Sequence, residues 1–540
     1  MRYLPTLAGY PLLTVPAFGR ESYPNQSFSS RCVALANNLT VPGYAINVNI
    51  AEFLPANATI DHAAEGVDAT CAAAWPAPPL PSDICRLVLR VATSNASEIL
   101  LETWLPEEWN GRFLSVGNGG LAGCVQYPDL AFGTSYGFAT AGHNAGHNGT
   151  SGASLFHRPH VLEDLVWRSV YVGTMVGKDV TRQIYGRDAG KSYYTGCSMG
   201  GRQGFKAVQK NPELFDGVIA GAPGIAVLTS HFALFGHAVN TLRSNTSDGY
   251  LTTEDWTVVQ DEVLKQCDEL DGAKDGIVED VRQCHPDLAT LLCTQNQSAC
   301  LTSPQLSTIE ALFAPIKTSN GTVLHPGPSH SFEVALTAIL QSPEVANWIV
   351  EWWRYVVYED ETWDPASWTL ADLFAARTQN PFDFDTLDAD LSAFQARGGK
   401  LLHWHGQADP YLAVGISDTY YNSVLHTLNT TVSKLDEFYR YFRISGMDHC
   451  FGGPGTNYLG QYGMSAAGDS PDDNMLTRIV EWVENSDAPE IVRGTKFVND
   501  SREAGVAFTR RHCKHPRVNV YKGSEDGTDE DGWECVEGKI

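Results

Sequence analysis

The pentapeptide Gly196-Cys197-Ser198-Met199-Gly200 constrains the fold more than any other stretch of the chain. A β-rich run precedes it at residues 192–196 (SYYTG), and helix formers follow at 200–209 (GGRQGFKAVQ). The chain must therefore pass from strand to helix at a serine, and the flanking glycines let the two elements close on each other. A serine in such a turn stands clear of the sheet. The Met199 N–H, at the helix start, lacks an intrahelical acceptor and is free to meet an anion. The pattern suits a nucleophilic hydroxyl with an oxyanion donor beside it, the plainer alternative being a glycine-rich turn without chemistry.

Further β-rich runs alternate with helical patterns: 112–117 (RFLSVG), 216–220 (DGVIA), 400–404 (KLLHW) and 438–444 (FYRYFRI). This alternation predicts βα units and a mainly parallel sheet. Between about 225 and 395 it fades into helices, loops, four cysteines and an aromatic segment from Trp352 to Trp368, which reads as an insertion carried on the sheet. A serine nucleophile needs a base, and the base needs an orienting acid. In an α/β-hydrolase the order is serine, acid, histidine, each past the C-terminal end of a strand. Asp409 follows the run at 400–404 and His449 follows the run at 438–444, so Ser198, Asp409 and His449 are the expected triad. His403 and His405 are rival bases, ranked lower because they lie in or at the end of a strand upstream of the acid. The Met199 N–H and one from the turn Gly117-Asn118-Gly119-Gly120, at Gly119 or Gly120, are the expected oxyanion donors.

At 540 residues the chain exceeds what one core usually fills. Lys and Arg number 37 against 63 Asp and Glu, a net charge of −26 that repels phosphate backbones and anionic lipid and argues against nucleic acid as a partner. Twelve cysteines contain no CxxC pair, so disulfides fit better than zinc. Closeness in sequence pairs Cys267 with Cys284, Cys293 with Cys300 and Cys513 with Cys535. Cys197 and Cys450 adjoin the expected nucleophile and base, and a bond between them would hold the two loops side by side. Sequons open at Asn25, Asn38, Asn57, Asn95, Asn148, Asn245, Asn296, Asn320, Asn429 and Asn499. Cysteines and sequons together predict a secreted, N-glycosylated protein. Residues 1–20 carry no recognisable signal peptide, since Pro5, Pro11 and Pro16 interrupt any apolar core. No apolar run reaches 18 residues, so no membrane span is expected. The acidic stretch at 523–534, with Glu525, Asp526, Asp529, Glu530 and Asp531, reads as a solvated loop. His143 and His147 lie in a glycine-rich segment that reads as a turn.

Cys197-Ser198, Asp409 and His449-Cys450 together resemble the CS-D-HC motif of the tannase and feruloyl esterase family. Similar stretches are GNGGLAG (117–123), GCSMGGRQG (196–204), PELFDGVIAGAP (212–223), DLSAFQARGGKLLHWHGQADP (390–410) and a WEC ending at Cys535, so the resemblance covers nearly the whole chain. It implies a catalytic α/β-hydrolase domain from 1–224 and 396–540, with 225–395 as a lid that covers the triad and selects substrate. It also implies the pairs Cys32–Cys85 and Cys71–Cys124. Within the Cys267–Cys284 loop, composition alone leaves a calcium site or a solvated acidic turn open. The resemblance implies structural Ca²⁺ held by Asp268, Asp271 and Asp275 with the carbonyls of Ala273 and Ile277; the chemistry itself needs no cofactor. The implied activity is hydrolysis of feruloyl-type phenolic esters, with a tannase acting on galloyl esters as the nearest alternative. A secreted peptidase or a non-catalytic glycoprotein on the same scaffold stand further off. Of Trp352, Trp353, Tyr355, Tyr358, Trp363 and Trp368, most are expected to pack the lid core and one or two to meet substrate.

Overall fold

Among the described residues nine strands form one sheet in the order β1-β2-β3-β5-β4-β6-β7-β10-β11. They are β1 Ile46–Leu54, β2 Ile84–Ala92, β3 Glu98–Pro106, β4 Arg112–Val116, β5 Ala139–His143, β6 Lys191–Cys197, β7 Gly217–Gly221, β10 Lys400–Gly406 and β11 Tyr439–Ile444. A small hairpin, β8 Ile316–Lys317 with β9 Val323–His325, stands apart from this sheet. The computed structural model describes residues 26–228, 234, 236–238, 242, 247–294, 300–461, 463, 465–524 and 526–538. Residues 1–20, Glu525 and the sequons at Asn25, Asn245 and Asn296 lie outside the described residues.

From β4 to β11 the pairing is parallel, while β1, β2 and β3 extend the sheet antiparallel at one side, β3 pairing antiparallel with β5. Parallel strands need crossovers, and helices supply them. Ser169–Tyr185 leads into β6 and ends at Gly186 with φ 71°, the left-handed stop that glycine takes without cost. Met199–Lys210 joins β6 to β7, and Val414–Thr427 joins β10 to β11. With helices on both faces the central strands lose contact with water, which explains why β7 is buried along its whole length; the outer strand β11 is buried as well. In register, Cys197 sits opposite Gly221, Gly221 opposite Trp404 and Gly406 opposite Ile444. The loops after β6, β10 and β11 therefore leave from one edge, the carboxyl edge where open α/β sheets bind ligands.

Among the described residues between β7 and β10, no strand joins the central sheet. The described residues there form helices Thr253–Cys267, Ser303–Phe313, Glu333–Leu340, Pro343–Trp352 and Leu370–Gln379. Their core gathers Trp256, Ile309, Leu336, Trp352, Trp353, Trp368 and Leu373, and the same apolar cluster continues into Leu121, Leu165, Met199 and Ala408 beside the sheet's carboxyl edge. Full burial of each such side chain contributes about 2 kcal/mol. The insertion is thus packed onto the end of the sheet, with no break in the core.

The far edge of β11 is covered. The His515 N–H donates to the Tyr441 carbonyl at 2.8 Å, and Lys514 bridges antiparallel to Phe442. Lys514 continues from the hairpin of β12 Ile491–Phe497 and β13 Val506–Cys513, and a second pair follows, β14 Val518–Tyr521 with β15 Trp533–Val536. In the acidic stretch Asp526, Asp529 and Asp531 face solvent, while Glu530 pairs with Arg511 at 2.7 Å.

All twelve cysteines are bonded, as Cys32–Cys85, Cys71–Cys124, Cys197–Cys450, Cys267–Cys284, Cys293–Cys300 and Cys513–Cys535. The seven described sequon asparagines, Asn38, Asn57, Asn95, Asn148, Asn320, Asn429 and Asn499, are all exposed. No helix among the described residues is long and apolar enough to cross a membrane.

Candidate active site

Strand β6 ends at Cys197 and the helix begins at Met199, so Ser198 alone makes the turn, at φ 64° and ψ −120°. A non-glycine residue in this region is strained, and the surrounding contacts hold it there. The Ser198 N–H donates to Gly221 O at 3.0 Å and its carbonyl accepts from the Arg202 and Gly224 N–H groups. A Cβ on Gly196 would lie 2.8 Å from the Gly200 backbone, so the strand and the helix can meet only through glycine. Ser198 is half-buried and opens onto a cavity of about 340 Å³ that His449 also lines.

Behind His449 the acid is fully engaged. The His449 Nδ1–H donates to Asp409 Oδ2 at 2.6 Å, and Oδ1 accepts the Tyr411 and Leu412 N–H groups at 2.8 and 2.9 Å. Burial pushes the Asp409 carboxyl up. The charge of His449 and hydrogen bonds from His405 and His449 outweigh burial and hold it well below the usual carboxylate range. Asp409 thus stays ionised, accepts only, and orients His449 through its Nδ1–H. The Cys197–Cys450 bond, with Cα atoms 6.0 Å apart, joins the serine turn to the histidine loop.

Gly119 and Gly120 line the same cavity as Met199 and Ser198. A Cβ on Gly119 would stand 2.7 Å from the Trp75 indole, and one on Gly120, at φ 54°, 3.2 Å from that of Trp348. Glycine at both positions lets two indoles flank the turn. Tyr411 and Phe451 complete an aromatic lining, joined by Leu121, Val227, Ile349 and Leu412. Two buried polar residues, Gln126 and Asp129, also face this cavity. Burial pushes the Asp129 carboxyl up to about 7, against a partly compensating N–H from Gly463.

None of the six aromatics singled out between 352 and 368 lines this cavity. Trp352, Trp353 and Trp368 pack the insertion's core, and Tyr358 bonds Asp372. The insertion contributes Val227, Trp348 and Ile349 to the walls, and most of the lining comes from the sheet domain. The aromatic walls of this cavity are instead Trp75, Trp348, Tyr411 and Phe451. Tyr411 and Phe451 were within reach of sequence reasoning, lying two residues past Asp409 and His449. Trp75 and Trp348 had no local signal. His143 ends β5 and is buried, and His147 bonds the Leu121 carbonyl at 2.8 Å; neither lines the cavity. His403 and His405 are buried behind the site, away from Ser198's cavity.

In the Cys267–Cys284 loop, Asp268 Oδ1 accepts the Asp275 and Gly276 N–H groups at 3.2 and 2.9 Å. Asp271 Oδ1 accepts the Ala273 N–H at 2.8 Å, and Asp275 Oδ1 that of Ile277 at 3.0 Å. Arg510 pairs with Asp275 Oδ2. Asp271 Oδ2 is buried with no hydrogen-bond partner. No three His, Cys, Asp or Glu side chains among the described residues close on a common point as a metal centre does.

Residues 85–536 match the family model described as tannase and feruloyl esterase. A probable feruloyl esterase B from Aspergillus clavatus is 44% identical over 98% of this chain and 100% of its own length. A feruloyl esterase C from Talaromyces stipitatus is 43% identical over 95% of each. The crystal structure of feruloyl esterase B from Aspergillus oryzae superposes with a TM-score of 0.88 at 40% identity, over 94% of this chain and 100% of that one. At 21% identity and a TM-score of 0.72, a tannin acyl hydrolase from Aspergillus niger shares the fold over 95% of each chain. The chain belongs to the tannase and feruloyl esterase family.

Proposed function

We propose that this chain, a feruloyl-type carboxylic ester hydrolase, cleaves its substrates through an acyl-enzyme on Ser198, with His449 as base and Asp409 as orienting acid. The observation that carries the reading is that Ser198 and His449 open onto one aromatic-walled cavity while Asp409 grips His449 from behind. Ser198 Oγ attacks the ester carbonyl as His449 Nε2 takes its proton. The Met199 N–H and one from Gly119 or Gly120 receive the oxyanion. Collapse expels the alcohol, which leaves with the proton held on His449. Water then attacks the acyl-enzyme by the same route, releasing the phenolic acid and freeing Ser198. The indoles of Trp75 and Trp348, with Tyr411 and Phe451, supply flat apolar walls for the ring.

The six disulfides support an oxidising, extracellular setting, and the exposed sequon asparagines support N-glycosylation. Structural Ca²⁺ at Asp268, Asp271 and Asp275, with the Ala273 and Ile277 carbonyls, is supported by an all-oxygen donor set and by the orphaned Asp271 Oδ2. Bound there, the ion would brace the loop and take no part in the chemistry.

The test is kcat/KM of the purified protein on methyl ferulate, methyl caffeate, methyl gallate and p-nitrophenyl acetate. Ferulate or caffeate should lead. A preference for gallate would move the substrate class to galloyl esters, and no turnover of any ester would overturn the reading.

A further inference from the structure

His403 and His405 stand two apart on β10, on one face of the sheet. Both are buried, and their ring nitrogens are all engaged. His405 Nε2 lies 2.9 Å from the Leu412 carbonyl oxygen and 3.2 Å from Asp409 Oδ2. Both neighbours can only accept, so Nε2 carries a proton. His405 Nδ1 is hydrogen-bonded to the Ser417 hydroxyl at 2.7 Å. The same hydroxyl is bonded to His403 Nε2 at 3.0 Å. Burial above all, then His405 and His515 nearby, lowers the His403 pKa well below the usual histidine range. His403 Nδ1 is bonded to the Tyr439 hydroxyl at 2.9 Å. Tyr439, His403, Ser417 and His405 are each no more than 1% exposed.

The result is a continuous buried chain from Tyr439 on β11, through His403, Ser417 and His405, to Asp409, whose last link is the His405 Nε2–H on Oδ2. Successive bonds in such a chain polarise one another. From this geometry we infer that His405 is a positioning residue for ester hydrolysis: it anchors Asp409 Oδ2, the oxygen that receives His449, at the end of a buried chain that holds its own ring in place. The inference rests on Asp409 being the triad acid. Oδ1 is tied by two backbone N–H groups, but Oδ2 has only His405 and His449. Without His405, Oδ2 would have among the described residues no partner but the one it is meant to orient.

His405→Leu removes the donor, His405→Gln keeps an N–H within the side chain's reach, and Ser417→Ala breaks the chain one link back. Activity on methyl ferulate is measured per active serine, counted by the end-point stoichiometry of a serine-directed phosphonate. Misplacing the acid should lower kcat of His405→Leu about 10- to 100-fold with KM within about twofold of wild type. His405→Gln should recover most of that loss, and Ser417→Ala should cost about threefold in kcat alone. Wild-type kcat in His405→Leu overturns the inference, as does an equal loss in His405→Gln. If His405→Leu does not fold, Ser417→Ala decides, and a kcat equal to wild type counts against the chain. Asp409→Asn separates the two readings. If it retains wild-type activity the triad assignment is wrong; if it is inactive while the His405 variants are normal, the triad stands and only the positioning role falls.

Discussion

Cys197 and Cys450 are bonded to each other one residue before Ser198 and one residue after His449. The bond spans 253 residues of sequence and brings Ser198 and His449, the proposed nucleophile and base, onto adjoining loops. Replacing both by alanine should cost about 2–5 kcal/mol of stability. It should also lower kcat at least about tenfold in protein that remains folded, because an error of about 1 Å in such geometry can cost 100-fold. Thermal unfolding and kcat per active serine check the two effects separately. Loss of stability with unchanged kcat would leave the disulfide a structural role only.

Ser198→Ala should lower ester hydrolysis by about 10⁴-fold or more while leaving Tm near wild type. Activity within tenfold of wild type would remove Ser198 from the nucleophile's place.

Asp129 offers a pH signature. Its carboxyl rises from 3.8 to about 7 in the folded chain. A raised carboxyl contributes stability that is complete below about pH 4 and is lost as the pH climbs through about 7. Asp129→Asn keeps an acceptor for the Gly463 N–H and removes the titration. The variant should show a flatter dependence of stability on pH and exceed wild type at pH 8, by about 4 kcal/mol at the limit. Denaturant unfolding of both proteins from pH 4 to pH 8 measures it, and parallel curves would refute it.

Chelation tests the proposed calcium site. EDTA should lower the Tm of wild type, and added Ca²⁺ should restore it. Asp271→Ala, lacking the carboxylate whose Oδ2 has no partner, should be insensitive to both. Equal sensitivity in the variant would place any ion elsewhere.

Trp348 is the insertion's aromatic contribution to the cavity. Trp348→Ala should lower kcat/KM for methyl ferulate about 10- to 100-fold while changing p-nitrophenyl acetate far less, since a lost apolar wall is worth about 1–3 kcal/mol. Equal losses on both esters would show that Trp348 supports the turn at Gly120 more than it selects the ring.

Where structure follows from local pattern, the sequence is readable. Ser198, Asp409 and His449 each follow a β-rich run, and β4, β6, β7, β10 and β11 lie within about two residues of the runs expected for them. The antiparallel strands β1, β2 and β3 were missed, since nothing in a strand's own residues says which edge it will join. The aromatic cluster at 352–368 misled for a related reason. A tryptophan is apolar enough to fill a core or to line a cavity, and contacts distant in sequence decide between them. Trp352 and Trp353 went to the core, while Trp348 found Gly120. His405 was read as a rival to His449. Its ring instead turns into the sheet's face and serves the acid, a distinction set by Ser417 and Leu412.

The segment that runs along β11 has a consequence for solubility. An open outer strand offers unpaired N–H and C=O groups to any extended chain, and a long one is a template for sheet growth between molecules. Here Lys514 and His515 occupy those groups at Phe442 and Tyr441, and Cys513, one residue before them, is anchored to Cys535. A chain cut after residue 505 would keep Ser198, Asp409 and His449 and lose this cover. Such a fragment should self-associate through the bared strand at concentrations where the whole protein stays dispersed.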